Sequence, residues 1–140
     1  MKKIPWFALL LVASMSPAGS AFAGLYDQPY SIIETDRAPS PDHLLLPVIV
    51  NRVDGENALP GKNKAVVAPG EHEVTVDVPP RGGFKTSTQR TFHLTTQACW
   101  RYYVAAKLHT TIGQEWEPVV RSREPMGDCE QKFAKPPDAK

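Results

Sequence analysis

From His72 to Val78 the chain reads His-Glu-Val-Thr-Val-Asp-Val, in which the valines alternate strictly with polar residues. Side chains two positions apart share one face of an extended strand, whereas a helix brings residues three or four apart together. Only a half-buried strand therefore puts Val74, Val76 and Val78 on one side and the polar residues on the other. Two further stretches repeat the pattern. Gln89–Thr96 sets Phe92 and Leu94 against Thr91, His93 and Thr95. Cys99–His109 sets Trp100, Tyr102, Val104, Ala106 and Leu108 against Arg101, Tyr103, Ala105, Lys107 and His109.

Proline and glycine punctuate these stretches. A strand over Tyr30–Thr35 ends in Arg37-Ala38-Pro39-Ser40-Pro41, and Leu44–Val53 is apolar but broken by Pro47, so it reads as an edge strand or one that bends there. Asp54-Gly55 signals a turn. Ala68-Pro69-Gly70-Glu71 suits a type II turn, in which proline presets φ and glycine accepts a positive one. Glu115–Arg123 supplies a last strand. Six or seven short strands without an amphipathic helix predict an all-β fold, a small antiparallel β-sandwich with one disulfide. The domain is expected over residues 24–131. Residues 132–140 lack apolar period and are expected as a disordered tail.

The first residues explain what precedes that domain. Lys2 and Lys3 stand before an apolar run from Trp6 to about Ala13, and small residues lead to Ala21-Phe22-Ala23. This is the pattern of a secretory signal peptide over residues 1–23, cleaved between Ala23 and Gly24. The apolar run is roughly half of the ~20 residues that cross a bilayer, so no transmembrane span is expected. Localisation is read as periplasmic or secreted. Loss of Lys2 and Lys3 leaves 14 of the 16 basic residues against 15 acidic ones. That balance gives no general attraction to nucleic acid. Cys99 and Cys129 are the chain's only cysteines. An even pair in an oxidising compartment reads as a disulfide.

Val53-Asp54-Gly55, followed after a loop by Val67-Ala68-Pro69-Gly70-Glu71-His72-Glu73-Val74-Thr75-Val76, resembles the PEGA-type repeat. That resemblance covers about a quarter of the processed chain and implies an extracytoplasmic, Ig/PEGA-like β-sandwich used as a structural or binding module. Pro79-Pro80-Arg81-Gly82-Gly83-Phe84 departs from the glycine-aromatic step of the family, and the segment from Cys99 to Cys129 has no counterpart in it. As a whole the chain also resembles a group of small exported proteobacterial proteins that share the tyrosine-rich strand after the cysteine and the Trp116-Glu117-Pro118-Val119 strand.

The residues themselves argue for binding over catalysis. A cysteine nucleophile needs a thiolate beside a base, and Cys99 is better explained as one end of a staple. A metal site needs three or four converging ligands. If Gln89–Thr96 and Cys99–His109 form a hairpin with Phe92 opposite Val104, His93 lies opposite Tyr103 and about 20 Å from His109. His43 and His72 remain as partners that loop geometry could bring together, but solvated histidines are the simpler reading, so no metal and no cofactor are expected. Trp100, Tyr102 and Trp116 read as interior filling. The outward row of the same strands carries the candidate site. With Val104 opposite Val120, Tyr103 faces Arg121 and Arg101 faces Arg123, which with His93 gathers three arginines around one tyrosine. Such a row suits an anionic partner: a lipid headgroup, an acidic glycan or an acidic envelope protein surface. The reading is an exported module acting by binding or structural association; the alternative is a small envelope hydrolase with a noncontiguous site.

Overall fold

The computed structural model describes residues 24–36, 44–59, 63–79 and 89–134. The expected leader, the Pro39-Ser40-Pro41 breaker, His43 and the tail from residue 135 lie outside them. Nine strands and one helix follow in chain order among the described residues: β1 Ser31–Thr35, β2 Leu45–Pro47, β3 Ile49–Val53, β4 Glu56–Asn57, β5 Lys64–Val67, β6 Gly70–Asp77, β7 Gln89–Thr96, β8 Trp100–Leu108, β9 Trp116–Pro125 and α1 Gly127–Phe133.

They form two sheets packed as a small, mostly antiparallel sandwich. In the first sheet β8 is central. Along one of its edges β1 runs parallel to it, Ile32 beside Arg101 to Thr35 beside Val104, and β2 then continues the edge antiparallel from Pro47 beside Ala105. β9 covers the other edge of β8, and β5 lies outside β1. The second sheet has the order β4-β3-β6-β7. The parallel β1–β8 pair departs from the all-antiparallel expectation. It arises because β1 and β8 lie far apart in the chain, so no hairpin dictates their direction.

Proline marks where the chain changes sheets. β2 belongs to the first sheet and β3 to the second, and the crossing falls at Pro47-Val48. Pro47 has no N–H to continue a ladder, while Val48 is buried in the core and its carbonyl accepts the Thr35 hydroxyl. Ala68-Pro69-Gly70-Glu71 behaves likewise. It carries β5 of the first sheet into β6 of the second, so it is a corner between sheets and not the reversing turn expected, with Gly70 at φ +140°. Asp54-Gly55 does turn a hairpin, β3 to β4, with both residues at positive φ.

The expected hairpin of β7 with β8 does not form. The two strands lie in different sheets, and β7 pairs with β6, which puts Phe92 opposite Val74 and His93 opposite Glu73. His93 is thus not beside Tyr103, and the separation of His93 from His109 built on that pairing has no basis. Apolar alternation on both strands is satisfied equally by lying side by side or by facing each other across a core. The connection chooses the second arrangement: the Gln97 N–H donates to the Tyr102 hydroxyl at 2.8 Å, the Ser31 hydroxyl donates to the Gln97 carbonyl at 2.7 Å and the Cys99 N–H donates to the Tyr30 carbonyl at 2.7 Å. Cys99 itself takes φ +62° there.

Between the sheets Ile33, Val50, Val74, Val76, Val104 and Ala106 form the buried core, joined by Trp116. A second, smaller core covers the outer face of the first sheet. Ile32 and Val66 are buried there beneath Met126 and the Cys99–Cys129 disulfide, with Tyr30 and Phe133 packed against them. α1 carries Cys129 onto this face. Lys132 and Phe133, expected at the start of a disordered tail, are its last residues, and the Phe133 ring stands edge-on to Tyr30 at 6.4 Å. Seven residues with one buried position leave no periodic trace in a sequence, so the helix was not legible.

Candidate functional site

The outward residues of β8 and β9 meet those of β1 on the same face that α1 partly covers. Their pairing contains a bulge: Val104 faces Val120 and Lys107 faces Glu117 as expected, but Tyr103 faces Ser122, so Arg121 is extra on β9. Every position beyond it slips by one. Arg101 then faces Glu124 instead of Arg123. An opposed pair of like charges is unfavourable and an opposite pair is favourable, and one inserted residue converts the first into the second.

The slip disperses the expected arginine row. Arg101, Tyr103 and Arg121 remain together. Arg123 falls opposite Tyr102, on the other side of β9, with its guanidinium 4.9 Å from the centre of the Trp100 ring. His93 is in the second sheet, 3.7 Å from Glu71. Three carboxylates enter in their place. Arg101 lies 3.8 Å from Glu34 and 3.6 Å from Glu124, and Arg121 is paired with the buried Asp36. The Tyr103 hydroxyl donates to Glu124 at 2.6 Å. That bond, with burial second, pushes the phenol above its ordinary value against the pull of Arg101. Tyr103 is therefore a proton donor at neutral pH, not a base. Among the described residues the buried Arg101 Nε–H has no hydrogen-bond acceptor, Glu34 lying 3.8 Å from it.

These residues line an open cleft of about 440 Å³, with Glu34, Asp36, Tyr103, Arg121 and Glu124 in its walls. One guanidinium, Arg121, stands against three carboxylates in the walls, so the cleft is net negative, with Arg101 beside Glu34 and Glu124. Glu34 was not singled out in the sequence, although alternation along Tyr30–Thr35 is the signal that sets it on the same face as Ile32. Glu124 was not legible, because its facing depends on the bulge.

A second polar constellation lies at the other end of the molecule. His72 has the same parity as Val74 and Val76 and is buried with them. Its Nδ1 is 2.6 Å from the Asp54 carboxylate and its Nε2 is 2.7 Å from the Ala68 carbonyl. Hydrogen bonds at both ring nitrogens therefore hold the imidazole in place. An aspartate–histidine pair supplies two of the three members of a hydrolytic triad. Here the nitrogen that would face a nucleophile is held by a backbone carbonyl, and the adjoining cavity of about 350 Å³ has no hydroxyl or thiol side chain among its described walls. The pair instead clamps the β3–β4 turn to the corner at Ala68. Among the described residues no group of three or more histidine, cysteine, aspartate or glutamate side chains is placed to hold a metal ion.

The clamp has a pH signature. The hydrogen bond from His72, then that from the Glu73 N–H at 2.8 Å, hold the Asp54 carboxyl below its ordinary value of 3.8. A depressed carboxylate contributes stability above its unfolded pKa and loses it as pH falls through the folded one. Urea unfolding should therefore show stability declining below about pH 4, and Asp54→Asn should flatten that decline. Asparagine accepts the left-handed backbone at this position, φ +53°. A wild-type slope retained in the variant would assign the decline to other carboxylates.

Comparison of the chain with protein-family models, with curated proteins and with solved structures returns no match.

Proposed function

We propose that this chain is an exported envelope module that acts by binding, and that its partner is a protein surface seated in the Tyr103 cleft. The observation that carries this reading is the cleft itself. It is an open concavity on a sheet face, walled by charged groups that pair with one another. Preorganised polar groups lose little freedom on association, which is where affinity is otherwise lost. The excess carboxylate favours a partner presenting a basic side chain, which pairs with Glu34 or Glu124, and Tyr103 supplies rigid contact area. Arg121 in the cleft wall supports a second reading, the anionic partner expected from the arginines.

The two readings separate in one experiment. A photocrosslinking residue at the exposed Ser122 is introduced in intact cells and the captured envelope protein identified. Binding of that purified partner is then measured against Glu34→Gln/Glu124→Gln and Arg101→Gln/Arg121→Gln. A basic partner loses about tenfold or more with the first pair. Loss confined to the second pair would establish the anionic partner, and loss with neither would remove the cleft from function.

A further inference from the structure

The second sheet carries a different kind of groove, of about 430 Å³, lined from β3, β4 and, across β6, the first residue of β7. Asn51, Asn57, Asn63 and Gln89 line it with carboxamides, and Arg52 adds a guanidinium. Register explains the convergence. Arg52 faces Asn57 on one flank and Thr75 on the other, while Ile49 and Gln89 both face Asp77 from opposite sides of β6. The backbone beneath is fixed: the Ala58 N–H donates to the Asn51 carbonyl at 2.8 Å, and the Thr35 N–H to the Asn63 carbonyl at 3.1 Å.

What sets this groove apart is that its polar side chains are unused. Among the described residues the four carboxamides and the Arg52 guanidinium make no hydrogen bond or ion pair with another protein group. The charged groups of the Tyr103 cleft, by contrast, are taken up with one another. No carboxylate is among the described lining residues, Asp77 between Ile49 and Gln89 on β6 has a partner of its own, and Arg52 is the cation that faces the groove. Leu59, 40% exposed, and the half-buried Ile49 and Ala58 supply an apolar floor beside the amides.

From this combination we infer that the groove binds an acidic saccharide. A carboxamide both donates and accepts, as does a sugar hydroxyl, so four of them around one concavity match a run of hydroxyls without leaving any group unpaired. The water they hold in the free protein is exchanged for equivalent bonds. The C–H face of a sugar ring meets the floor of Leu59 and Ile49. Arg52 forks two N–H bonds onto a carboxylate, which selects a uronic acid over a neutral sugar. The volume lies within the range of small-ligand sites. This site stands on the opposite sheet from the Tyr103 cleft and does not depend on it.

The test uses the processed chain on a panel of immobilised oligosaccharides, neutral glucans beside oligomers of uronic acids. Retention on the uronic-acid members is expected, with at least a tenfold loss in Arg52→Gln and in Asn57→Ala/Gln89→Ala. Arg52→Gln should leave the thermal melting curve unchanged, since the side chain has no partner to lose. Retention on none of the panel, retention on neutral members alone, or retention undiminished in both variants would each overturn the inference.

Discussion

Replacing Cys99 and Cys129 together by alanine is expected to destabilise the domain by about 3 to 4 kcal/mol, the chain-entropy value for a loop of this length. The disulfide spans 30 residues, with its Cα atoms 5.3 Å apart. A loss of that size lowers the melting temperature by on the order of 15 °C. Geometry makes the effect local as well as global. The bond is what presses α1 onto Ile32 and Val66, so its removal should also free the amides of α1 to exchange hydrogen well before the sheets open. Cys99 is 5% exposed and Cys129 1%, so a reductant should act on the native protein only after local opening. Hydrogen exchange and thermal melting of the double variant check both parts. A variant that melts like the wild type would show that the small outer core holds the helix unaided.

Truncating Ile33 to alanine should cost a comparable amount, about 2 to 5 kcal/mol. Ile33 is fully buried on β1, between β8 and β5 of the first sheet, and belongs to the core between the sheets. Its neighbour Ile32, 5% exposed, belongs instead to the outer core beneath the disulfide. The two adjacent isoleucines therefore report on different cores. In the cysteine-free protein the cost of Ile32→Ala should shrink, because the helix that covers it is already loosened, while that of Ile33→Ala should stay within about 0.5 kcal/mol of its original value. Chemical denaturation of the four variants measures both. Equal coupling of Ile32 and Ile33 to the disulfide would mean that the domain has one core and not two.

Period-two alternation was enough to determine β6, β7 and β8, because the facing of a single strand is a local property of the chain. His93, Arg101 and Tyr103 were placed outward by that rule, and outward they lie. The proline at position 47 and the pair Asp54-Gly55 likewise announced themselves through backbone restrictions that act within a few residues. The pairing of the two cysteines followed from their number and the expected compartment, before any geometry.

Everything that depends on which strands are neighbours was decided by the tertiary structure. Parity states which side chains share a face; it does not state whether β7 lies beside β8 or across the core from it, since both arrangements bury Phe92 and Val104 equally well. Hydrogen bonds of the Gln97–Cys99 connection to β1 and β8 settled that choice and took His93 away from Tyr103. A bulge is just as invisible, because one extra residue at Arg121 changes no local preference yet reverses the facing of Arg123 and brings Glu124 against Arg101. The same holds for α1, whose seven residues are stabilised by a disulfide and a packed face and not by any helical period of their own. Facing is written residue by residue along one strand, whereas adjacency is a competition among whole strands for the same core, and only the packed molecule resolves it.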